Sequence, residues 1–106
     1  MAITNVQVES TQTTRLFLAS GEHAVTTMFF CNTSESDDCL LDIFVTPNGQ
    51  VSGTSSTMII KALSLPSAET YVFDAEKLIL SDQDSIQAKA TVDKIVVATI
   101  STVQTS

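Results

Sequence analysis

Apolar residues fall on both parities of one short segment, which limits the folds open to this chain more than any other feature. Val25, Thr27, Phe29 and Cys31 share one parity, and Met28 and Phe30 take the other. After a polar, acidic stretch at 33–38, Cys39, Leu41, Ile43 and Val45 alternate with Leu40, Asp42 and Phe44. Side chains of a strand point alternately to its two faces. The segment therefore reads as two β-strands joined by a loop, with both faces meeting something dry. One face is expected to meet the core of a sandwich. The other is expected to meet a second layer or another protein molecule.

The same period gives eight strand candidates along the chain and no helix. They cover residues 4–9, 15–19, 24–32, 39–46, 58–65, 70–73, 86–92 and 95–103. In the first, Val6 and Val8 alternate with Asn5 and Gln7. In the seventh, Ile86, Ala88, Ala90 and Val92 alternate with Gln87, Lys89 and Thr91, giving one wet face. Residues 74–80 read as irregular, either a helical turn or a bulged strand. Pro47-Asn48-Gly49 is the strongest turn, since Pro fixes φ and Asn-Gly tolerates positive φ. The Ser-rich stretch 50–56 extends it as a mobile loop. Short, evenly spaced strands with turn signals predict an all-β protein, a single antiparallel β-sandwich of about eight strands spanning residues 1–106. Its topology can be immunoglobulin-like or jelly-roll. Ser and Thr fill 28 of the 106 positions, as suits strands and turns with polar outer faces.

Charge excludes one class of partner. Twelve Asp and Glu stand against five Lys and Arg, a formal charge of −7. Arg15, Lys61, Lys77, Lys89 and Lys94 are scattered singly, whereas a binder of nucleic-acid backbone concentrates cations. No direct nucleic-acid partner is expected. No run approaches the roughly 20 apolar residues of a membrane helix, and no basic region followed by an apolar run marks a secretory signal.

Catalysis finds little to build on. His23 is the sole histidine, it follows Glu22 in a turn, and no G-x-S-x-G motif occurs. Cys31 and Cys39 flank the acidic loop, and a hairpin there would bring them opposite each other. Free thiols are the leading reading, with a disulfide next; the spacing does not match a zinc site. Glu35, Asp37 and Asp38, then Asp74 and Glu76, then Asp82 and Asp84 form small acidic groups. Each reads as a solvated turn with Asp capping backbone N–H groups, because each offers too few oxygens for Ca²⁺ on its own. No enzyme, metal or cofactor is expected.

The predicted interface comprises Met28, Phe30, Leu40 and Phe44 as one contiguous apolar patch, together with Val6 and Val8. A soluble monomer seldom leaves such a patch bare. Residues 1–14 form a candidate N-terminal arm, and Ser101 to Ser106 a second end segment, suited to adding a strand to a neighbour's sheet edge.

Several phrases carry a resemblance when taken together: Met1-Ala2-Ile3-Thr4, the run from Ala24 to Thr33, the run from Ala68 to Leu80, and Asp84-Ser85-Ile86-Gln87-Ala88. Their order resembles small all-β virion structural proteins of tailed bacteriophages, those of marine and cyanobacterial hosts in particular. The resemblance spans most of the chain and rests on β-rich phrases without an active-site motif. Many such proteins place a glycine-bearing turn before the last phrase, where this chain has Asp82-Gln83. The resemblance implies a many-copy, non-enzymatic particle component, assembled in the host cytoplasm and resident in the virion. A capsid decoration protein is the leading form, a homo-oligomer, with a trimer favoured, that docks on the major capsid protein or other virion proteins. A neck, tail or fibre component is the alternative, which includes a module for host-surface carbohydrate.

Overall fold

A computed structural model of the protein describes residues 2–50 and 56–105, including all their side chains except those of 2 and 74–77. Eight strands follow one another: β1 (Ala2–Val8), β2 (Thr14–Leu18), β3 (His23–Asn32), β4 (Cys39–Thr46), β5 (Met58–Leu65), β6 (Thr70–Leu80), β7 (Ser85–Ala90) and β8 (Val96–Gln104). They pair antiparallel into two four-stranded sheets, ordered β1-β8-β3-β6 and β2-β7-β4-β5. The chain changes sheet at every connection except β4 to β5. This interleaving of two four-stranded sheets is the jelly-roll order. The all-β sandwich expected from alternation is thus present, and strand order selects one of the two topologies that alternation left open.

The central hairpin expected from residues 26–45 does not form. β3 and β4 belong to opposite sheets, so residues 33–38 cross the sandwich instead of turning back along it. Buried Asn32 fixes the crossing. Its Nδ2 donates to the carbonyls of Asp37 (2.9 Å) and Leu65 (3.0 Å), while its Oδ1 accepts from the Ser34 N–H. Those bonds tie the end of β3 to β5 in the other sheet.

β3 also changes phase. Val25 pairs with Thr102 and Thr27 with Ser101 across β8, leaving Thr26 as an extra residue. Such a bulge moves every later side chain to the opposite face. The Thr26 hydroxyl bonds to the Ser101 carbonyl and hydroxyl, which anchors the kink. Val25, Met28, Phe30 and Asn32 consequently all point inward, and Phe29 points out.

The core lies between the sheets and is built from alternate residues of each strand. Val96, Ala98 and Ile100 of β8 meet Leu41 and Ile43 of β4 and Ile86 and Ala88 of β7, with Met28 and Phe30 among them. The expected N-terminal arm is instead part of this fold. β1 pairs with β8 of its own chain from Ala2↔Thr102 to Val8↔Val96. The C-terminal residues are bound likewise: β8 is a central strand, and the Thr105 N–H donates to the Glu22 carbonyl at 2.9 Å.

Residues 74–80, expected to be irregular, continue β6. The register jumps from Val25↔Leu78 to Thr27↔Asp74, so the irregularity is a bulge within a strand. The Pro47 turn closes as expected. The Gln50 N–H donates to the Pro47 carbonyl, and Gly49 holds φ +88°. At the Asp82-Gln83 turn, Gln83 adopts φ +69°, the left-handed region that a glycine would occupy without strain. The mobile loop expected at 50–56 falls mainly on residues 51–55, outside the described residues.

Candidate functional surfaces

Three of the four strands in β1-β8-β3-β6 carry no charged residue. Register lines up Asn5, Thr99, Phe29 and Val72 across its four strands, and Gln7, Val97, Cys31 and Thr70 beside them. Phe29 is 39% exposed, Val72 53%, Ile3 67% and Ile79 61%. β1, β3 and β8 contain no Asp, Glu, Lys or Arg, and β6 concentrates its charges at 74–77. In a chain with twelve carboxylates, three strands of one sheet are thus without any.

The outer face of β2-β7-β4-β5 differs. Arg15, Gln87, Phe44 and Met58 line up across it, and Asp42 stands opposite Lys89. Towards one end, a pocket of about 350 Å³ opens between β2, β7 and the loops at 47–50 and 81–84. Its lining includes Thr13, Arg15, Thr46, Ser85 and Gln87. Gln87 is only 4% exposed although it faces outward. Its Oε1 accepts from the Thr46 hydroxyl at 2.7 Å, and its Nε2 donates to the Ser85 hydroxyl. Asp84 holds the rim together. One carboxylate oxygen accepts from the Asn48 N–H (2.8 Å) and the other from the Ser81 N–H (2.9 Å).

The predicted interface does not assemble. Met28, Phe30 and Val8 lie in the core at 0% exposure, and Val6 packs half-buried against it. The bulge at Thr26 accounts for Met28 and Phe30, and self-pairing of β1 accounts for Val6 and Val8. Phe44 does face outward in register, yet the single chain encloses it beside Gln87 and Met58. Leu40 is exposed, but on the sheet opposite β3. Greasy residues on both parities of the segment therefore have their explanation inside one subunit. Phe29 and Val72, which sequence reasoning passed over, are the exposed pair. The signal that finds this surface is the lack of charged residues in three strands.

The residues weighed for chemistry are placed as follows. His23 begins β3, half-buried, with its ring edge-on to Phe17 at 5.2 Å and Nδ1 3.2 Å from the Gly21 carbonyl. Cys31 and Cys39 are both free thiols, on different sheets. Among the described residues, no group of three or more His, Cys, Asp or Glu is placed to hold a metal ion. The aspartates cap backbone N–H groups, and several reach across loops: Asp38 accepts from Ser67, Asp82 from Gly21, and Asp93 from Ser10. Compared with known proteins, the chain matches no family model and no curated sequence.

Proposed function

We propose that this chain is a non-enzymatic virion structural protein of the capsid-decoration kind, which acts by laying the outer face of β1-β8-β3-β6 against a second copy of itself. The observation that carries this reading is the exposure of Phe29 and Val72 on a surface whose three main strands have no charged residue. Copies that each carry −7 repel one another, and like charges brought together at an interface cost several kcal/mol. Self-association is therefore favoured where strands free of carboxylates meet, as β1, β8 and β3 can. Four strands about 4.8 Å apart and roughly 25–30 Å long give a projected area on the order of 500 Å². With side-chain relief, that approaches the ~800 Å² per partner of a standard interface. A two-fold pairing of this face closes at a dimer, and a trimer needs a heterologous contact that also uses a sheet edge.

The virion assignment rests on the resemblance of the sequence phrases. Jelly-roll order is compatible with it, being common among capsid proteins, but lectins and cupins share that order. A neck, tail or fibre component would use the same surface.

Sedimentation velocity tests the contact. Wild-type protein is expected to run as an oligomer, and the double variant Phe29→Lys, Val72→Lys as a folded monomer. Lys89→Ala, on the opposite sheet, should leave the mass unchanged. A wild-type protein that stays monomeric at high concentration, or an oligomer indifferent to the two lysines, would refute the proposed contact.

A further inference from the structure

We infer that the pocket between β2, β7 and the 47–50 turn is a binding site for a small carboxylated, polyhydroxylated molecule of the acidic-sugar class. It lies on the sheet opposite the proposed self-association face, so the two readings stand or fall separately. A volume of about 350 Å³ is at the lower end for ligand sites and suits one monosaccharide unit.

The lining sets the ligand's chemistry. It holds amides (Asn48, Gln50, Gln83, Gln87), hydroxyls (Thr13, Thr46, Ser85) and one cation, Arg15, with no carboxylate. Among the described residues no ion pair or hydrogen bond occupies the Arg15 guanidinium. A planar fork of donors matches a carboxylate in bidentate fashion. At the base, the Gln87 amide is 4% exposed and uses one Nε2 hydrogen on Ser85. An amide nitrogen carries two hydrogens, so a second donor remains in a buried position. The Ser85 hydroxyl, accepting from Gln87, has its own proton to give. Buried donors of this kind recognise ring hydroxyls, and leaving them unmatched is costly. Leu18 and Pro47 supply apolar wall for the C–H face of a sugar ring.

The absence of carboxylates from the lining is informative, because acidic residues crowd the neighbouring turns. Asp84 is spent on the N–H groups of Asn48 and Ser81, and Asp82 on that of Gly21. Those carboxylates are turned to backbone N–H groups of the rim, and among the described lining residues Arg15 is the one that is charged.

Two-dimensional amide NMR with added glucuronate tests the site, with glucose, acetate and inorganic phosphate run as separate probes. Glucuronate is expected to shift resonances of Arg15, Asn48, Gln83, Ser85 and Gln87 saturably, and glucose to shift them more weakly. Arg15 is exposed on β2, so Arg15→Gln should fold normally. It should weaken glucuronate at least about tenfold while leaving glucose unchanged. Gln87→Ala, if folded, should weaken both sugars. Equal shifts from acetate or phosphate would mean a plain anion site and overturn the proposal. So would an absence of saturable shifts at these residues, or undiminished glucuronate binding by Arg15→Gln.

Discussion

The two outer faces of this sandwich are each built from four antiparallel strands, but they treat polarity in different ways. On β2-β7-β4-β5, charges and polar groups are retained, and many of the polar ones are bonded within the chain. Asp42 stands across from Lys89 and accepts from the Ala62 N–H, and Gln87, Thr46 and Ser85 form a connected buried set. On β1-β8-β3-β6, charge is excluded from three strands, while exposed apolar side chains occur on both sheets, Leu18, Leu40 and Ile59 on one and Ile3, Phe29, Val72 and Ile79 on the other. The first arrangement suits the recess proposed for a small molecule, and the second the self-association proposed for the opposite sheet.

The largest effect that could break this contrast lies in two adjacent phenylalanines. Phe30→Ala should cost about 3–5 kcal/mol in urea denaturation, as expected for a buried aromatic. Phe29→Ala should cost less than about 1 kcal/mol at concentrations where the protein is monomeric. Equal losses would mean that β3 does not change phase at Thr26, and the exposed face would have to be redrawn.

Removing the clamp on the pocket side should come next. Asp84→Ala releases the N–H groups of Asn48 and Ser81 and should destabilise by roughly 1–2 kcal/mol, with hydrogen exchange quickened in both turns. Unchanged exchange would show that the two turns hold their places without the carboxylate.

The smallest effect sharpens the comparison from the other sheet. The Thr102 hydroxyl of β8 is buried and, among the described residues, has no hydrogen-bond partner. A group in that state pays a desolvation penalty without return. Thr102→Val keeps the shape and should stabilise the fold by about 1 kcal/mol, raising the urea midpoint. A loss of stability would reveal a partner for that hydroxyl.

Strand positions were largely legible because alternation and turn residues are local signals. Residues 39–46 and 58–65 agree with β4 and β5 end to end, and the other strands begin or end within a few positions of expectation, β6 excepted. What could not be read locally was the assignment of strands to sheets. A six-residue polar link serves a hairpin or a crossing equally well, and Asn32 decides it through a carbonyl on β5, distant in sequence. The faces of β3 were misjudged for a related reason: Thr26 is an ordinary strand residue, and nothing in its neighbourhood announces an inserted position. The pocket was half legible. The Pro47 turn stood out, whereas Gln87 sits in a strand whose alternation assigns it to water, and only the packing of β2 and β4 on either side shows that it is covered.

Thr26 has one more implication, for changes of chain length. If that codon were lost, Val25 would adjoin Thr27, and plain alternation would place Val25, Met28, Phe30 and Asn32 inward with the β8 register unbroken. The loss would fall on the two Thr26 hydroxyl bonds to Ser101, and the strand would straighten at that point. The aromatic pair would keep its orientation, so the surface around Phe29 does not depend on the bulge being present.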